Sequence, residues 1–70
     1  MDNSKTILGL KFTAIRTMRP IPHWRVQIPS GEILDNGVAG FNGESRPKLW
    51  ESIEYLAKRM PDRFIREFTV

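Results

Sequence analysis

The hydrophobic pattern of this chain changes period once, near residue 45, and that change limits the folds open to it. Before it, apolar residues recur at every second position in short runs broken by Pro, Gly and Asn. From Ser45 to Met60 they recur at helical spacing, with Leu49, Ile53, Leu56 and Met60 on one stripe and Trp50 and Ala57 on its flank. Ser45 fits the N-cap, Pro47 is tolerated in the first turn, and Pro61 ends the helix. The outer face carries Glu51, Glu54, Tyr55, Lys58 and Arg59, with Glu54 and Lys58 spaced for an i,i+4 pair.

The period-two half predicts strands. From Ile7 to Met18, Leu8, Leu10, Phe12 and Ala14 alternate with Gly9, Lys11, Thr13 and Ile15. The same alternation puts Arg16 on the buried side, which a strand tolerates only at a frayed end or at a bulge. Arg19-Pro20-Ile21-Pro22 breaks the run, because each proline removes a backbone donor. A second strand, His23 to Pro29, has Trp24, Val26 and Ile28 on one face and His23, Arg25 and Gln27 on the other. Ser30-Gly31 turns it into Glu32 to Leu34. Asp35-Asn36-Gly37 reads as a further tight turn, with a short strand over Val38 to Phe41. Phe64 to Val70 reads as a last strand, although an amphipathic helix through Phe64, Ile65 and Phe68 fits nearly as well.

The expected fold is α+β: a small antiparallel sheet of three or four strands with one α-helix packed on one face, in a single small domain over residues 1–70. The expected core is Leu8, Leu10, Phe12, Trp24, Val26, Ile28, Leu49, Ile53, Leu56 and Met60. Lys11, Thr13, Ile15, Thr17 and Arg19 then stand beside His23, Arg25 and Gln27 on the face turned away from the helix.

A domain of 70 residues buries only about 60% of its unfolded-chain surface. With no cysteine and one histidine, side-chain packing has to hold it without disulfides or a metal in ordinary ligand sets. A composition of 40% hydrophobic and 27% charged residues is that of a chain that folds. No run resembles a signal h-region or a membrane span, and the expected location is the cytoplasm.

Charge is distributed unevenly. Five of the eleven basic residues fall in the first 25 positions against one acid, Asp2, whereas positions 26 to 45 hold three acids and no base. The expected role is a non-enzymatic binding module, an inhibitor or adaptor of the kind a phage or mobile element encodes, that meets a protein partner by surface complementarity. The candidate contact residues are Lys11, Ile15, Arg19, Arg25, Gln27, Tyr55 and Arg59, a mixture of apolar, aromatic and arginine groups typical of interfaces. The alternative partner is nucleic acid, since basic side chains on a sheet neutralise phosphates and a two-stranded ribbon fits the major groove. A second copy of the chain is a further candidate, and no membrane is expected. The order of strands followed by a helix across residues 23 to 60 resembles the arm-binding domains of phage-type integrases, which implies a sheet that enters the major groove. Against both partner classes stands the simpler role of such charges, keeping a sheet soluble and unpaired at its edges.

Enzyme chemistry has little to build on. His23 lies between Pro22 and Trp24 with no carboxylate nearby in sequence. Asp35 and Glu32 read as turn and edge residues, and Gly37, Gly40 and Gly43 lack the GxGxxG spacing of a phosphate loop. Trp24 and Trp50 sit on apolar faces. No cofactor is expected.

Overall fold

The computed structural model describes residues 3–70; Met1 and Asp2, counted in the domain read from sequence, lie outside them. Four strands, β1 (Ser4–Ile7), β2 (Leu10–Thr17), β3 (His23–Gln27) and β4 (Ile33–Leu34), form an antiparallel meander in the order β1-β2-β3-β4. A 3-10 turn (Val38–Gly40) leads to two helices, α1 (Arg46–Arg59) and α2 (Pro61–Phe68). The α+β class holds, with both helices packed against one face of the sheet.

The single N-terminal strand expected over Ile7 to Met18 is divided. Leu8 and Gly9 both adopt positive φ, 52° and 78°, as a two-residue hairpin turn of the primed kind requires. Ile7 is thereby paired with Leu10, and it is Ile7 that enters the core, while Leu8 is 49% exposed. Pattern alone continued the strand because Leu8 keeps step with Leu10 and Phe12. Arg16 needs no bulge: it pairs with Trp24 near the end of β2 and lays its guanidinium 5.4 Å from the Trp24 ring centre.

Ser45 caps α1 as expected, its side chain accepting from the Lys48 backbone N–H. Pro61 ends α1 but also opens α2 at a first-turn position, where its missing donor costs nothing. The strand expected over Phe64 to Val70 is therefore a helix, and Phe64 and Phe68, one turn apart, point into the core. Val38 to Phe41 is not a strand either; Phe41 turns inward instead. All four phenylalanines of the chain meet there, with ring centroids of contacting pairs 5.0–5.8 Å apart.

The buried set is Ile7, Phe12, Ala14, Val26, Phe41, Leu49, Ile53, Ala57, Phe64 and Phe68. Leu10, Trp24, Ile28 and Leu56, expected in the core, pack around it half-buried, as Met60 is also half-buried. Between β4 and α1 the chain returns to β3: the Trp24 N–H donates to the Gly43 carbonyl at 2.7 Å, and the Gly43 N–H donates to Asn36 Oδ1 at 2.7 Å. A Cβ at residue 43 would collide with the Trp24 carbonyl oxygen, so only glycine permits that approach.

Two outcomes test this packing. Phe68→Ala is expected to destabilise the domain by about 3–5 kcal/mol, a large share of the roughly 4–10 kcal/mol available to a chain this size, measured by urea unfolding; a loss typical of an exposed strand residue would contradict the helical placement. Leu8→Asn is expected to stabilise it by about 1 kcal/mol, because a left-handed conformation costs leucine more than asparagine; an unchanged midpoint would count against the strained turn.

Candidate functional site

The face of the sheet away from the helices carries no covering layer among the described residues. Register assigns its members: Ser4 opposite Thr13, Thr6 opposite Lys11, Thr13 opposite Gln27, Ile15 opposite Arg25 and Thr17 opposite His23. These side chains alternate with the core-facing Phe12, Ala14 and Val26 along the same strands. Four of the seven contact residues expected from sequence, Lys11, Ile15, Arg25 and Gln27, thus share one surface.

The other three do not. Arg19 lies in the exposed β2–β3 connection, next to Pro20, with which it forms a cis peptide bond. Tyr55 and Arg59 are exposed on the outer side of α1, opposite the residues that α1 buries, Leu49, Ile53 and Ala57. They belong to a second surface, across the molecule from the open sheet. Tyr55 there borders a shallow groove of about 330 Å³ lined also by Gly40, Asn42, Lys48, Glu51 and Ser52.

Polar contacts organise the open face. Ser4 and Thr13 hydroxyls lie 3.0 Å apart, Arg25 Nε donates to Thr17 Oγ1 at 2.9 Å, and Gln27 Nε2 donates to the Gly31 carbonyl at 3.2 Å. His23 has partners at both ring nitrogens: Nδ1 lies 2.7 Å from the Ile21 carbonyl and Nε2 2.9 Å from Asp35 Oδ1. The carboxylate missing from the local sequence is supplied by the turn after β4. Both ring nitrogens thus face acceptor oxygens within the chain. The pair ties the β2–β3 connection to the turn at Asp35.

Asp35 Oδ1 also accepts the Asn36 N–H at 2.7 Å. That hydrogen bond, the largest effect, holds the carboxyl below its ordinary value; burial, next in size, opposes it, and His23 and then Arg25 add to the lowering. Among the described residues no three His, Cys, Asp or Glu side chains come together as a metal site, and no helix is long and apolar enough to cross a membrane.

Charge divides between the layers. β1, β2 and β3 contain no acidic residue. The Glu54–Lys58 pair expected along α1 is replaced by an ion pair between Glu54 and Lys5 on the core side of β1; Lys48–Glu44 and Arg63–Glu67 lie within the helical half. Lys11, Arg16, Arg19 and Arg25 form no ion pair among the described residues. The sequence alone shows where these bases fall, but not that the acids pair elsewhere.

Comparison of the chain with protein-family models, with curated proteins and with solved structures finds no match. Across residues 23 to 60 the structure has two strands, β3 and β4, a 3-10 turn and α1, so the three strands before the helix on which the resemblance to integrase arm-binding domains rests are not all present in that span.

The sign of the Asp35 shift sets an acid-side prediction. A carboxyl whose folded pKa lies below its unfolded value of about 3.9 stabilises the fold above that value, and the contribution is lost as pH falls through the folded pKa. The thermal midpoint of the native protein is therefore expected to fall more steeply below about pH 4 than that of Asp35→Asn. Parallel curves would show that Asp35 carries no such linkage.

Proposed function

We propose that the protein is a non-catalytic binding module whose open sheet face docks on the major groove of duplex DNA. The observation that carries the reading is the absence of acids from β1, β2 and β3, combined with Lys11 and Arg25 on the open face, neither of them in an ion pair among the described residues. Sequence favours a protein partner; the distribution of charge over the folded surface favours a polyanion. Phosphate contacts supply affinity in such complexes, and Arg, Gln and Thr side chains on a ribbon supply base contacts. Thr13, Ile15, Thr17, Arg25 and Gln27 are of that type. Arg19 at the end of the ribbon adds charge where flanking phosphates would run. Asp35 at the margin is engaged by His23, which limits its repulsion of a phosphate. A cytoplasmic location goes with this reading.

A protein partner is the second reading, carried by Tyr55, 62% exposed on α1, with Arg59 one turn further on and the groove beside them. Tyr and Arg are the residues most enriched at interface centres. An inhibitor or adaptor would use this helical surface and leave the sheet free.

Fluorescence anisotropy separates the two. Labelled duplex DNA is expected to bind with micromolar affinity at low salt and to weaken with a log-log slope of about 0.9 per phosphate neutralised. Duplex RNA is expected to bind less well, its major groove being too narrow for a ribbon. The double variant Lys11→Glu, Arg25→Glu is expected to lose DNA binding while keeping its thermal midpoint. Retained binding by this folded variant rules out the sheet face; no binding by the native protein at low salt moves the search to Tyr55 and Arg59.

A further inference from the structure

We infer that Arg25 is a preset reader of guanine and that Thr17 is the residue that presets it. The inference rests on the duplex reading above and adds the base that the face selects.

Arg25 lies on a central strand, opposite Ile15 and diagonal to Thr17, whose own partner in register is His23. Its Nε donates to Thr17 Oγ1 at 2.9 Å. A guanidinium is planar, so fixing Nε fixes the orientation of the whole fork and leaves both terminal nitrogens with their donors unspent. No carboxylate comes within ion-pair distance of them among the described residues. A pair of parallel donors matches the major-groove edge of guanine, where N7 and O6 are adjacent acceptors; adenine presents one acceptor and one donor there.

The other polar residues of the face are less suited. Lys11 ends in a point charge on a flexible stem, which serves a phosphate. Gln27 already spends a donor on the Gly31 carbonyl. Thr17 is a positioning residue: its hydroxyl acts through Arg25, and an arginine fixed before binding loses less side-chain freedom on meeting its base.

The test is selection from a duplex DNA pool with randomised positions, followed by affinity measurement on the selected and unselected duplexes, for the native protein, Thr17→Val, Thr17→Ser and Arg25→Lys, each checked for an unchanged thermal midpoint. The native protein is expected to enrich a G·C pair at one position with a preference of about tenfold or more. Thr17→Val and Arg25→Lys are expected to lose most of that preference, read for each variant as the ratio of its affinities for the selected and unselected duplexes, so that a change in overall phosphate affinity does not enter. Thr17→Ser, which keeps the hydroxyl, is expected to restore the preference. Replacing the selected guanine by 7-deazaguanine is expected to weaken the native protein by a similar factor and to leave Thr17→Val unaffected.

If duplex is bound but Thr17→Val keeps the native preference, or 7-deazaguanine costs the native protein nothing, the inference is wrong and the duplex reading stands. If no duplex is bound at low salt, both fall.

Discussion

The contact among Phe12, Phe41, Phe64 and Phe68 is the constraint on which the rest of this structure depends. Each ring comes from a different stretch or turn of the chain: β2, the segment after the 3-10 turn, and two successive turns of α2. Tilted, edge-on and stacked pairs of this kind contribute about 0.5–1.5 kcal/mol each beyond the area they bury. The cluster joins α2, a helix of eight residues, to the sheet, and helices that short are not stable alone. Phe41 likewise anchors the segment that crosses from the sheet to α1.

A core built from one side leaves the other side bare. The large apolar residues of β2 and β3 are spent on the helical layer, so the alternation of the strands presents Thr, Lys, Arg, Gln and a single Ile on the opposite face. The one residue that breaks the pattern, Arg16, is accommodated through Trp24, whose ring has the guanidinium of Arg46 5.7 Å from its centre as well. Cations near an aromatic face retain much of their hydration while covering apolar surface, which explains how an arginine stands on the core side near the end of β2.

Electrostatics follows the same division. Ion pairs join the helices to themselves and to the core-facing Lys5, where each exposed pair adds at most about 1 kcal/mol. Their effect on the charge map is larger than their effect on stability, because among the described residues they leave Lys11 and Arg25 on the sheet face without an ion pair. His23 is the exception on that face: held by Ile21 and Asp35, it behaves as a rivet between two connections.

Much of this was legible from local pattern. Helical spacing and the Ser45 cap located α1, Ser30-Gly31 located the β3–β4 hairpin, and period-two alternation assigned Thr13, Ile15, Thr17, Arg25 and Gln27 to one face. These depend on neighbours within a few residues. Alternation did not reveal that Leu8 would turn with Gly9, since an apolar residue at positive φ breaks no period. Nor could it choose strand or helix for Phe64 to Phe68, a segment whose spacing suits both; the choice was made by Phe12 and Phe41, more than 20 residues away in sequence. The pairing of His23 with Asp35 and of Lys5 with Glu54 is of the same kind. Sequence alone determined the class of fold and which side chains share a sheet face, because both follow from backbone period; tertiary structure alone decided the last helix, the aromatic core and which charges stay unpaired, because those depend on which distant segments pack together.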